Sequence, residues 1–157
     1  MIRFTVYGVA QPAGSKRAFA LRRKDGSIVT REGGAPVINV VDDAEKGRAW
    51  RQEVAKSALL AKRAAGLSDV LRGPLALRIV FHRQRPKGHF RTGGILLSKA
   101  GKATPWPIGK PDSTKLLRAV EDALTSVLWE DDAQIVRQTV EKVWGIPARA
   151  EIEVEAL

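Results

Sequence analysis

Hydrophobic residues alternate with polar ones in several short stretches and recur at helical spacing in two longer ones. Ile2, Phe4 and Val6 alternate with Arg3, Thr5 and Tyr7, the pattern of a strand with one buried face. Leu75, Leu77, Ile79 and Phe81 repeat it after Gly73-Pro74. Ala150, Ile152 and Val154 repeat it near the end, with Glu151, Glu153 and Glu155 facing outward, and a further strand is predicted over about 133–143. Helical spacing places Trp50, Val54, Ala58, Ala61 and Ala65 on one face of a helix predicted over 42–65. Asp42 and Glu45 fit a capping box at its start, and Gly66 supplies the stop. A second helix, predicted over 113–127, carries Leu116, Val120, Ala123 and Val127, widened by Leu117 and Leu124.

Between these elements lie two basic segments. Asp25-Gly26 leads into a strand at 27–30, and Gly33-Gly34 separates it from another at 37–40, which predicts a basic hairpin. Residues 83–110 read as a long loop with three prolines, and a loop of that length in a compact domain is functional or disordered. The order of elements predicts an α/β (α+β) fold: a single domain over residues 1–157, a mixed sheet with two main helices packed on one face.

Charge changes the picture from fold to partner. The formal net charge is +10. Residues 1–69 carry 13 basic and 7 acidic side chains, residues 70–111 carry 9 basic and none acidic, and residues 112–157 carry 5 basic and 10 acidic. A 42-residue window without a carboxylate suits a surface that follows phosphates. The absence of Cys excludes a disulfide scaffold and a thiolate zinc site, and is compatible with the cytoplasm. The N-terminus reads as a strand rather than a signal peptide, and no apolar run approaches the roughly 20 residues of a membrane span, so no membrane partner is expected.

Against this basic background the acids gather. Asp112 opens the second helix, and Asp131-Asp132 follow Trp129-Glu130 in a turn after it. One to three carboxylates with open positions can hold Mg²⁺ against a phosphodiester, so the pattern points toward a metal-dependent nuclease. The helix–turn–strand geometry is expected to bring Asp112, Asp131 and Asp132 to one end of the sheet. Asp112, Lys115, Arg118 and Asp122 share a polar helix face, from which Lys115 or Arg118 is placed to meet a phosphate. Plainer readings stand beside these: Asp112 as a helix N-cap, Asp131-Asp132 as a simple turn, Arg118 and Asp122 as a surface pair, Trp129 as a core anchor, His82 as structural. His82 and His89 do not form a zinc spacing.

The string from Lys110-Pro111-Asp112-Ser113-Thr114-Lys115-Leu116 to Asp122-Ala123-Leu124, with Trp129-Glu130-Asp131-Asp132-Ala133-Gln134-Ile135, resembles the RusA family of Holliday-junction resolvases, particularly phage-type members. The Gly8 to Pro12 loop followed by Lys16-Arg17 is similar to the family's N-terminal strand and basic turn. The resemblance implies Asp112 and Asp132 as catalytic carboxylates, Asp131 as a neighbour sharing the metal, and Arg118 as a catalytic basic residue. It implies Mg²⁺, with Mn²⁺ as a substitute, a homodimer, and paired hydrolytic nicking of a four-way DNA junction in a bacterial or phage-infected cell. Lys16, Arg17, Arg83, Arg85, Lys87, Arg91, Lys110 and Lys115 are the expected DNA contacts. The family's second Asp falls at Thr114, which removes one carboxylate and keeps open a weakly cutting or purely binding protein on the same fold. A small basic RNA-binding protein is the third reading.

Overall fold

The computed structural model describes residues 1–14, 16–42 and 45–157, with side chains for all of these but 16–18, 40–42, 45 and 46. In chain order the elements are β1 (Ile2–Tyr7), β2 (Lys16–Ala20), β3 (Ile38–Asp42), α1 (Glu45–Ala64), β4 (Leu75–Arg83), α2 (Lys99–Ala103), α3 (Ser113–Leu124), β5 (Ile135–Trp144) and β6 (Arg149–Ala156). Single 3-10 turns lie at Lys87–His89 and Asp132–Gln134. Four strands form a mixed sheet in the order β1-β6-β4-β5. β6 pairs antiparallel with both β1 and β4, while β4 and β5 are parallel. A parallel pair needs a crossover, and the segment containing α3 supplies it.

The alternation read from the sequence is the two-sidedness of this sheet. Ile2, Val6, Leu75, Leu77, Ile79, Phe81, Ala150, Ile152 and Val154 are all buried on one face. Trp50, Val54 and Ala58 of α1 and Leu116, Val120, Ala123 and Leu124 of α3 join them in one core, so both helices cover the same face, as predicted. The opposite face is a charged lattice: Arg3 Nε lies 3.4 Å from Glu153 Oε1, and Arg78 reaches Glu141 at 3.1 Å and Glu153 at 3.8 Å. Such exposed pairs contribute little stability, so the apolar face does the holding.

Helix ends follow local chemistry. α1 stops at Ala64; Gly66 takes φ +72°, its N–H donates to Arg63 O, and Leu67 N–H donates to Lys62 O, a Schellman arrangement. The predicted capping box of Asp42 and Glu45 rests on side chains outside the described ones; Asp42 ends β3, and α1 begins at Glu45 rather than at 42. α3 ends three residues earlier than predicted, at Leu124, with Thr125 as C-cap and Ser126 at φ +66°. Val127 packs on the core from beyond the helix.

Two predictions are corrected. The basic hairpin has both predicted turns, but residues 38–42 pair with 16–20, and 27–30 forms only single bridges, Arg22 to Ile28 and Thr30 to Pro36. Residues 83–110 are not an unstructured loop. They form an arm with the 3-10 turn, a bridge between Phe90 and Leu97, and α2, whose N-cap Ser98 accepts from Gly101 N–H. Arg85 Nη1 donates to Gly101 O at 2.9 Å and Thr104 O at 3.2 Å while its guanidinium lies 5.1 Å above the Trp144 ring. Trp144 Nε1 donates to Thr104 O at 2.9 Å, and His89 meets the Trp144 ring edge-on. At the arm's return, Arg83 Nη1 donates to Gly109 O at 2.9 Å and Lys142 Nζ to Gly109 O at 3.2 Å.

Candidate active site

The site is organised along α3. At its N-terminal end Asp112 occupies the N-cap position with extended backbone (φ −68°, ψ 144°), yet its side chain makes no cap hydrogen bond. The carboxylate is therefore not committed to the plain capping role. It borders a cleft of about 400 Å³ between Val9, Ala10 and Pro12 on one side and Lys110 and Lys115 on the other. The walls are fixed by main-chain contacts: Ala13 N–H donates to Lys115 O at 2.8 Å, and Lys142 Nζ donates to Pro111 O at 3.1 Å. A helix N-terminus and two exposed lysines make this end electropositive.

The C-terminal end has the opposite character. Asp132 Oδ1 accepts from Thr125 Oγ1 at 2.6 Å and from Trp129 Nε1 at 2.8 Å. Trp129 is fully buried, so the core anchor also aims this carboxylate. Asp131 caps the following 3-10 turn: its Oδ1 accepts from Ala133 N–H, while Gln134 Oε1 accepts from the N–H groups of Glu130 and Asp131. Glu121 completes the group. Burial raises its pKa above the usual carboxylate value, reinforced by the charges of Asp132 and Asp122 and opposed by Gln138 and Arg118. The last turn of α3 thus holds Glu121 and Asp122 and no basic residue, against the preference of a helix C-terminus.

The structure divides the predicted metal residues between the two ends of α3. Asp131 and Asp132 lie together, but Asp112 lies at the far end of α3, and twelve residues at about 1.5 Å each place the two ends roughly 18 Å apart. The chain turns at the C-terminal end of α3 and runs back along the helix only as β5, so Asp131 and Asp132 stay at that end. Among the described residues no three His, Asp or Glu side chains are grouped to hold a metal ion. The described residues of one chain do not gather Asp112, Asp131 and Asp132 into one cation cage.

The remaining predicted residues divide into two sets. Arg118, Lys115 and Thr114 are exposed along α3 between its two ends, and Lys87, Arg91 and Lys110 are exposed on the arm. Arg83 and Arg85, expected at phosphates, instead donate to main-chain carbonyls and hold the arm in place. The side chains of Lys16 and Arg17 lie outside the described ones. His82 Nε2 lies 3.2 Å from Glu151 Oε1. Glu121 was not singled out from sequence; the signal for it is an acid placed in a helix's last turn with no base nearby.

Glu121 gives a prediction with a definite sign. A raised folded-state pKa means stability is fully present below the unfolded value and is lost as pH rises through the folded value. Glu121→Gln is therefore expected to raise the melting temperature at pH 7 and to leave it unchanged near pH 4. Equal shifts at both pH values would show that the carboxylate's ionisation is not the cause.

Two comparisons bear on this geometry. The family pattern of the endodeoxyribonuclease RusA matches residues 23–155, which include the arm, α3 and the carboxylates at both of its ends. The uncharacterized protein YqaN of Bacillus subtilis (strain 168) is 29% identical over 157 residues, spanning 98% of this chain and 94% of that protein. The match covers most of the chain and both ends of the helix that carries its candidate carboxylates, and the chain belongs to the RusA endodeoxyribonuclease family.

Proposed function

We propose that this protein is a Mg²⁺-dependent endodeoxyribonuclease, with Mn²⁺ as a substitute, that resolves four-way DNA junctions by paired nicks as a homodimer. The observation that carries this reading is the polarity of α3: Asp112 among lysines at one end, Asp132 among carboxylates at the other, with exposed Arg118 between. The two ends are charge-complementary under a two-fold axis. β5 is a sheet edge with residues 136–139 exposed, and it runs antiparallel to α3, since Gln138 donates to Glu121 and Lys142 to Pro111 O. Two copies meeting along this edge would lay their α3 helices antiparallel. Asp112 of one copy would then approach Asp132 of the other, and the acids at the wrong end of the helix dipole would meet lysines. Such a pairing would hold the divalent cation between Asp112 and Asp132 of different chains. It would also give two identical sites for a substrate of near two-fold symmetry.

In this reading Lys110 and Lys115 hold the scissile strand at the cleft, and Lys87 and Arg91 add phosphate contacts that position without reading sequence. The test is cleavage of a synthetic mobile four-way junction beside a linear duplex, with Mg²⁺ or EDTA. Symmetric nicks are expected on the junction alone and with Mg²⁺ alone. Tight junction binding with no cut in Mg²⁺ or Mn²⁺ would make the chain a binding protein disabled by Thr114. Preference for structured RNA over the junction would sink the reading.

A further inference from the structure

The arm's return segment is built to display two large apolar side chains. Thr104 O receives Trp144 Nε1 at 2.9 Å and Arg85 Nη1 at 3.2 Å; five residues later Gly109 O receives Arg83 Nη1 at 2.9 Å and Lys142 Nζ at 3.2 Å. Between these clamps the strap 105–108 tucks Pro107 inward, buried, and Ile108 N–H donates to Trp106 O at 3.0 Å. Trp106 is left 59% exposed and Ile108 86% exposed. The other three tryptophans are buried or half-buried. Four donors spent on two carbonyls hold in place a strap whose own side chains bury little.

The surroundings say what such a ring meets. No carboxylate occurs between residues 70 and 111. Lys102 and Lys110 are exposed on either side of the strap, and three residues beyond Gly109 the chain reaches Asp112 and the cleft. An exposed indole in a segment whose only charged side chains are cations is complementary to a polyanion that carries flat apolar groups. Bases in a duplex are already stacked on one another, whereas an unpaired base has both faces free.

We propose that Trp106 is a stacking platform for an unpaired base of DNA beside Asp112, with Lys110 on the adjoining phosphate. The platform rests on the DNA-binding reading above and adds to it the feature of the substrate that is gripped: unstacked nucleotides, as at a branch point.

The experiment is a fluorescence titration of wild type, Trp106→Ala and Trp106→Phe with oligothymidylate and with blunt duplex at one salt concentration, followed by gel shifts on a four-way junction. Oligothymidylate is expected to quench wild-type tryptophan emission, and Trp106→Phe to lose that quench while keeping most of the affinity. Trp106→Ala is expected to weaken oligothymidylate and junction binding about tenfold and duplex binding less than twofold. Bound oligothymidylate without quenching, unchanged affinity in Trp106→Ala, or an equal loss on duplex would each overturn the platform. Failure of Trp106→Phe to retain binding would do the same, since a ring should suffice. A wild type that passes these tests but cuts no junction would sink the nuclease reading and leave the platform standing.

Discussion

Asp112→Asn and Asp132→Asn proteins are each expected to leave a four-way junction uncut, and a subunit-exchanged mixture of the two is expected to nick it. The reason is that α3, roughly 18 Å long, lies between Asp112 and the turn that carries Asp132. If a site is built from Asp112 of one chain and Asp132 of another, a mixed dimer contains one site with both carboxylates and one with neither. If each site lay within one chain, every site in the mixture would carry a lesion and the mixture would stay inactive. Each single loss should exceed the roughly 10–100-fold cost of removing an outer-sphere partner of a metal. Nicking of one strand without its symmetric counterpart is the expected product of the mixture. Single variants that cut at wild-type rates would remove both residues from the chemistry. Dead singles with a dead mixture would retain the residues and sink the two-chain site.

The second large effect is on the arm, and it is structural. Gly101→Ala is expected to destabilise the arm by at least the roughly 1–3 kcal/mol typical of overpacking. A Cβ at residue 101 would overlap the His89 carbonyl oxygen and come within 3.1 Å of Leu97 Cδ2. Neither main-chain neighbour is free to yield. The His89 carbonyl accepts from Ser98 N–H at 2.9 Å, and the Gly101 carbonyl is held by Arg85 at 2.9 Å. Trypsin reads the result, because Arg91, Lys99 and Lys102 all lie on the arm. Cleavage there should accelerate severalfold while the circular-dichroism melt of the sheet and α1 changes little. Unchanged proteolysis would show that the arm does not depend on this close contact.

The main sheet was legible because its physics is local in period. Each strand buries every second side chain against two helices, so Leu75, Leu77, Ile79 and Phe81 announce both the strand and its inner face. The pairing of 38–42 with 16–20 was not legible. Two Gly-containing turns near 25 and 33 suggest a local hairpin, and nothing in the intervening residues says that the ladder closes outside them. The arm was missed for a related reason. Its order comes from Trp144 and Lys142 on β5, some forty and thirty residues away along the chain, while its own glycines and prolines read as loop. At the candidate site, Asp112, Arg118 and Asp132 stand out in the sequence as candidates, but their separation does not. Residue spacing alone does not say whether a turn after a helix folds back to its start or remains at its end. Arg83 and Arg85 show the same limit, since a basic residue in a basic segment looks alike whether it faces phosphate or a carbonyl.

The arm leaves the sheet at Arg83 and comes home at Gly109, and one hydrogen bond of 2.9 Å joins the two. The excursion is thus a closed stem, tied to the sheet at its base and again at Trp144. Closing a longer or shorter stem changes the entropic cost only with the logarithm of its length. β4, β5 and the start of α3 would keep their positions if the residues between the clamps were exchanged for others. Under the proposed function, the carboxylates at the ends of α3 and the surface of the arm are therefore free to change independently of one another.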